Sequence, residues 1–235
     1  MIPLKDDNPT QHFPIVTVAF IVINVLVHFV QLPLSREELE PFFRDYGFVP
    51  ARFFTDSGPS GALPPWMTIF SSMFMHGSLF HLGGNMLYLW IFGNNIEDIM
   101  GPIRFIIFYL ICGVGAAMLQ GILNPDSMIP MVGASGAVSG ILGGYMLMFP
   151  RARITMLIFI FFFIQIIKVP ASVVLGIWIF FQLLSGFNSL SGEGGGVAFF
   201  AHIGGFVFGL ALIKIFRSRR RVTAKVSGKW SPFSG

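Results

Sequence analysis

Six stretches of this chain are apolar for long enough to leave water, and that constrains everything else about it. A helix needs about 20 mostly apolar residues to cross a bilayer. Pro14 to Val30 is the first such run, interrupted only by Thr17, Asn24 and His28. Phe80 to Ile96 is the second and Phe105 to Leu123 the third, closed by the turn signal Asn124-Pro125-Asp126. The fourth, Ser135 to Phe149, is short for a full crossing and is expected to begin below the membrane surface. Val169 to Leu184 is the fifth, with Pro170 near its start, where a missing N–H does no harm. Ala198 to Phe216 is the sixth. Between the fourth and fifth, Ile154 to Ile167 reads as a membrane-associated connector, either extended and protein-covered or a shallow helix. Charged residues make up 11% of the chain, against roughly 25% in a soluble domain.

These runs predict an all-α polytopic membrane protein with six transmembrane helices and a short central one. Residues 1–13 precede the membrane domain, which covers 14–216 and includes a long outer loop at about 31–79; residues 217–235 form a basic tail. No cleavable leader is expected, because the first run follows Lys5, Asp6 and Asp7 and is long enough to span. Lys214, Arg217, Arg219, Arg220, Arg221, Lys225 and Lys229 crowd the last helix's end and tail. With an even number of helices, Arg104, Arg151 and Arg153 fall on that same side. Arg36, Arg44 and Arg52 dissent from the first loop, but Glu37, Glu38, Glu40, Asp45 and Asp56 accompany them. Both termini are therefore expected to be cytoplasmic. The formal charge of +4 reports this topology rather than nucleic-acid binding, and Cys112 stands alone in an apolar run, excluding an internal disulfide.

Three polar groupings occupy places where apolar residues would be expected. His81 and Asn85 share one face of the second helix at i, i+4. Gly133-Ala134-Ser135-Gly136 enters the fourth, and His202 lies one turn into the sixth. On the predicted topology all three lie towards the outer leaflet, and polar groups at such depth are costly enough to suggest function. Gly136, Gly140 and Gly144 line one helix; Ala201, Gly205 and Gly209 line another. Small-residue stripes let two backbones approach closely. If these two helices touch, Ser135 and His202 meet at one end as hydroxyl and imidazole, the minimum for an activated nucleophile. His81 and Asn85 could then supply donors to an oxyanion. Each piece alone has a plainer explanation: serine bonding its own helix, glycine packing, a structural histidine. His12 and His28 receive no role. A metal site on His76, His81 and His202 would lack a carboxylate, and no HExxH occurs. Acidic residues reach the predicted helices only as Glu97 and Asp98, at the inner end of the second, which argues against aspartyl proteolysis and proton-coupled transport.

His81-Leu-Gly-Gly-Asn85, Gly133-Ala-Ser135-Gly136 and Ala201-His202-Ile-Gly-Gly205-Phe-Val-Phe-Gly209 resemble the HxxxN, GxSG and AHxxGxxxG motifs of the rhomboid family, in the family's order. The resemblance covers roughly residues 14–216. It implies a rhomboid-like bundle whose short central helix starts at the nucleophile, and an intramembrane serine endopeptidase. Ser135 would be the nucleophile and His202 the general base. His81, Asn85 and the Ser135 backbone N–H would hold the oxyanion. His76 resembles a structural histidine of the outer loop, and Glu97 an acidic position at the inner end of helix two. No cofactor or metal is implied. The expected partners are the lipid bilayer and single-pass or polytopic membrane proteins cut near the outer leaflet, with no nucleic acid; the expected location is a bacterial cytoplasmic membrane. Trp66-Met67 stands where many relatives carry Trp-Arg. Ser139 replaces an aromatic that stacks on the catalytic histidine in some members, so His202 is expected to be held less rigidly. The alternative is a catalytically weak rhomboid-like protein that binds or escorts membrane partners; such relatives usually lack the serine or the histidine.

Overall fold

The computed structural model describes residues 2–55, 61–160, 163–189 and 198–218. Helices dominate it: α1 (Ile15–Gln31), α2 (Arg36–Tyr46), α3 (Pro50–Phe54), α4 (Pro65–Ser71), α5 (Leu79–Tyr88), α6 (Asn94–Met100), α7 (Pro102–Leu123), α8 (Ser135–Met148), α9 (Ala171–Asn188) and α10 (Phe199–Phe216). A π-helical turn, Leu89–Gly93, carries α5 into α6 without a break. Gly101 then adopts φ 81, which suits a residue without Cβ, and Pro102 opens α7 at a position that needs no donor. The loop expected at 31–79 contains three of these helices; Ser35 and Glu38 close a reciprocal capping box on α2. Among the described residues, α7, α9 and α10 are long and apolar enough to cross a membrane, while α1 and α8 are shorter apolar helices.

The all-α expectation needs correction. Residues Arg153–Ile160 and Phe163–Pro170 form an antiparallel pair, β2 and β3, and Ile2–Asp6 adds β1 to the free edge of β2. This stretch is rich in Ile and Phe, and β-branched and aromatic side chains suit a pleated surface better than a helix. Ile154 and Met156 turn into the core, whereas Ile164 and Ile166 on β3 remain exposed. The connector thus supplies two paired antiparallel strands, and Ile2–Asp6 is part of the same packed structure.

The N-terminal segment is tied down at the α6 end of the bundle. Pro14 gives α1 no side-chain cap. Glu97 supplies one instead, accepting from the Val16 N–H at 2.9 Å, the Thr17 N–H at 2.8 Å and the Thr17 hydroxyl at 2.8 Å. Asp98 accepts from the N–H groups of Gln11 and His12 and pairs with the His12 ring at 2.8 Å. Asp6 accepts from the Tyr145 hydroxyl at 2.6 Å and from the Asn95 amide at 2.7 Å. The tail beyond Ser218 lies outside the described residues.

The core is built where α8 and α10 cross with almost no side chain between them. A Cβ on Gly205 would strike the Gly136 carbonyl, one on Gly209 the Gly140 carbonyl, and one on Gly143 the Phe206 carbonyl. Gly204 faces α7 in the same way, its missing Cβ lying 3.0 Å from the Gly115 oxygen. Gly144 faces the Ile213 side chain. Backbone cannot step aside as a flexible side chain can. Gly205→Ala should therefore cost about 1–3 kcal/mol or more of stability. Gly176→Ala, in open space on α9, should be neutral or slightly stabilising, by up to about 1 kcal/mol. Thermal unfolding of both variants in one detergent checks this; equal melting temperatures would mean that the helices do not touch so closely.

Candidate active site

At one end of the α8–α10 contact, the entry to α8 is set by Gly133. Its φ of 127 belongs to glycine, and a Cβ there would lie 2.8 Å from the His81 ring. The Gly133 N–H donates to the Ser72 carbonyl at 2.8 Å, and Phe48 and Met131 bridge beside it, so the turn is anchored to the segment between α1 and α5. Ser135 is the first residue of α8. As in any helix, the first N–H groups have no partner within the helix, and here they include that of Ser135.

His202 stands in the first turn of α10, its Nε2 2.9 Å from Ser135 Oγ. Its other nitrogen, Nδ1, is 2.7 Å from Gln182 Oε1 on α9. Trp178, one turn before Gln182, lies against the imidazole with ring centroids 5.9 Å apart at 39°. Ser139 does not reach His202: its hydroxyl donates back to the Ser135 carbonyl at 2.6 Å. The aromatic expected at position 139 has a counterpart on another helix, and the imidazole is held from α9. Gln182 and Trp178 lie outside all three sequence motifs. The available signal was a glutamine in an apolar helix, at i, i+4 from a tryptophan.

Asn85 and His81 approach from α5. The Ser78 hydroxyl accepts from the His81 N–H at 3.1 Å and caps that helix. The Asn85 amide donates to His76 Nε2 at 2.9 Å, and the Ala134 N–H points at the same nitrogen from 3.5 Å. With two donors facing Nε2, the His76 ring must accept there. Gln31 holds the His76 backbone from both sides, accepting from its N–H at 3.2 Å and donating to its carbonyl at 3.1 Å. The His76 and His81 rings meet edge to face at 5.1 Å. His76 therefore orients Asn85 and joins α1, α5 and the α8 entry. A cavity of about 490 Å³ opens over the group, lined by His81, Asn85, Gly133, Ser135, Trp178 and His202 among others. A hydroxyl, an imidazole able to take its proton and a set of neutral donors converge on this space, as acyl transfer requires.

Residues 64–219 match the family described as Rhomboid domain. The chain is 28% identical over 174 residues to Rhomboid protein 1, mitochondrial, of Saccharomyces cerevisiae, covering 70% of this chain and 47% of that protein. It is 33% identical over 108 residues to the human Presenilin-associated rhomboid-like protein, mitochondrial, covering 45% of this chain and 28% of the relative. RHOMBOID-like protein 4 of Arabidopsis thaliana is 37% identical over 144 residues, covering 61% and 32% respectively. The matched part is less than half the length of each of these relatives. Relatives named as mitochondrial, and Rhomboid-like protein 11, chloroplastic, of Arabidopsis, overturn the expectation of a bacterial cytoplasmic membrane with cytoplasmic termini. Lys and Arg asymmetry separates the two sides of a bilayer. It carries nothing about which membrane the bilayer belongs to.

Burial, aided by the neighbouring His81 and His28 rings, holds the His76 imidazole down from the ordinary 6.5 to about 3. Below pH 6.5 the unfolded chain binds a proton at this position that the folded protein refuses, so this contribution to stability falls as pH drops from 6.5 towards 3. His76→Asn should flatten the acid side of the stability–pH curve by up to one proton's dependence, measured by thermal unfolding from pH 7 to 5. An unchanged slope would place the acid sensitivity elsewhere.

Proposed function

Because the chain belongs to the rhomboid family, we propose that it is an intramembrane serine endopeptidase that cuts transmembrane segments of other membrane proteins. The observation that carries this reading is the 2.9 Å approach of Ser135 Oγ to His202 Nε2, at the head of two helices locked by glycine. Residues 14–216 form the membrane domain on this reading. Its six crossings are α1, the continuous α5–α6, α7, α8, α9 and α10. At 14 residues, α8 is about 21 Å long, against roughly 30 Å of hydrocarbon. Its first residue, the nucleophile, then sits below the surface in the cavity rather than in lipid.

His202 Nε2 takes the Ser135 proton as Oγ bonds to the scissile carbonyl carbon. The oxyanion is received by His81, the Asn85 amide and the Ser135 backbone N–H. Collapse of this intermediate breaks the C–N bond, and the leaving amine takes the proton from His202. Water then repeats the sequence on the acyl-enzyme. The substrate strand must be extended to present its carbonyl, so a helical substrate must unwind locally. Segments with glycine, proline or polar residues near the cut meet that need most cheaply.

Ser135→Ala and His202→Ala should each abolish cleavage of a model transmembrane substrate in a folded protein, and the double variant should be no worse, because the pair acts as a unit. A serine-directed fluorophosphonate should label the wild type at Ser135 and neither variant. Cleavage at wild-type rate by either single variant removes that residue from the mechanism. Asn85→Ala should lower kcat by about 10²–10³ with little change in KM, since the donor engages mainly in the transition state. A raised KM at constant kcat would make Asn85 a substrate-binding residue. A fall in melting temperature matching the activity loss would make it a packing one.

A further inference from the structure

A neutral imidazole carries one proton, so a general base at Nε2 needs that proton on Nδ1. The opposite tautomer would point an N–H at Ser135 Oγ and hold the pair off. Something must therefore favour Nδ1–H, and the side chain facing Nδ1 belongs to Gln182, with its Oε1 at 2.7 Å. We propose that Gln182 is a positioning residue for the base: its amide oxygen accepts the His202 Nδ1–H and leaves the Nε2 lone pair directed at the Ser135 hydroxyl. This rests on the protease reading above and adds a third member to the pair.

The local structure supports such a role. Trp178 packs on the imidazole from the same helix, so one turn of α9 both covers the ring and engages its far nitrogen. The helix is seated at both ends. Ala171 and Ser172 donate to the carbonyls of Ala152 and Pro150, at 2.8 and 3.1 Å. Near the other end, Gly186 brings α9 against Phe200 and Ile203 of α10, where an added Cβ would meet their side chains at 3.4 Å. That contact flanks His202 and holds Gln182 at its level.

In the reaction the Nδ1 proton never leaves histidine. As the Ser135 proton reaches Nε2, the ring becomes an imidazolium with two N–H groups, and the bond to Gln182 Oε1 becomes charge-assisted. As the leaving amine takes the Nε2 proton, the ring returns to the same tautomer, ready for water. An amide does this without placing a carboxylate inside the membrane.

Gln182→Leu, similar in bulk but without an acceptor, should lower kcat by about 10- to 100-fold, less than the 10²–10⁴ a general base contributes altogether. KM should stay within error, and any fall in melting temperature should be too small to account for the loss of turnover. Gln182→Glu keeps an acceptor and should hold kcat within a few-fold. It should move the acid limb of the kcat/KM–pH profile to higher pH, because a carboxylate favours imidazolium. His81 lines the same cavity and is unchanged in all these variants. Wild-type kcat in Gln182→Leu, or equal losses in the Leu and Glu variants alongside lowered melting temperature, would overturn the proposal. Nitrogen-15 spectra of histidine-labelled protein give a readout that does not need activity. The His202 signal, assigned by its loss in His202→Ala, should show the Nδ1–H tautomer in the wild type and a redistribution in Gln182→Leu. An Nε2–H tautomer in the wild type overturns the proposal. Absence of both cleavage and Ser135 labelling in a wild type that shows the Nδ1–H tautomer would instead overturn the protease reading.

Discussion

The backbone contact between α8 and α10 is the constraint on which the rest depends. Carbonyls of Gly136 and Gly140 occupy the space that side chains on Gly205 and Gly209 would need, so the two helices cannot slide or rotate without collision. Helices in lipid gain little from excluding water between them and associate through close packing instead. Here that packing runs straight to Ser135 and His202. Ser135 opens one helix and His202 lies in the first turn of the other, so their separation is inherited from the glycine contact. Gly115 and Gly204 extend the principle to α7, so α7, α8 and α10 pack closely together.

Polar groups within this body are satisfied by one another across long sequence separations. Asn85, His76 and Gln31 link three segments, and Glu97 caps a helix whose start is about 80 residues away in the chain. A buried polar group that lost its partner would cost more than the bond itself gains. Each link is therefore as much a demand on the fold as a contribution to its stability. The π-helical turn between α5 and α6 belongs to the same logic: it lets one continuous helix present Asn85 to the cavity and Glu97 to the start of α1.

How much of this could be read from sequence varies with the physics of each feature. The apolar runs map onto helices because hydrophobic length is local, and the motif spacings place His81 and Asn85 on one helical face for the same reason. Two glycine stripes pair Ser135 with His202 in the sequence, since close approach leaves a compositional trace. The β2–β3 hairpin had no such trace. An unbroken apolar run suits a buried strand and a buried helix alike, and the partner strand β1 lies some 150 residues earlier. Gln182 stayed hidden because its meaning depends on where α9 lies, and α9 is positioned by Ala152, Pro150 and Phe200. Ser139 misled in the opposite direction: a missing aromatic at one position implied a loose histidine, but Trp178 reaches the same ring from another helix.

Charge is distributed to match the membrane. Glu97, Asp98 and Asp6 gather at the end of the bundle where α1 and α6 meet, each bonded to backbone N–H groups or to neutral or ring donors. At the other end Ser135, His202, Gln182, Asn85, His76 and His81 form a site without a fixed charge. That spares the fold the desolvation of ions, which even a good partner seldom offsets in a low-dielectric interior. On the proposed mechanism it also leaves the imidazolium and the oxyanion without a counter-ion. Both must be met by dipoles already in place: a helix N-terminus, two amides and an imidazole. Dipoles are effective there only if they need not reorganise when charge develops. The close packing of the glycine-lined helices, the two-way holding of the His76 backbone by Gln31 and the Asn85–His76 bond are then requirements of an uncharged site, and not merely of a stable one.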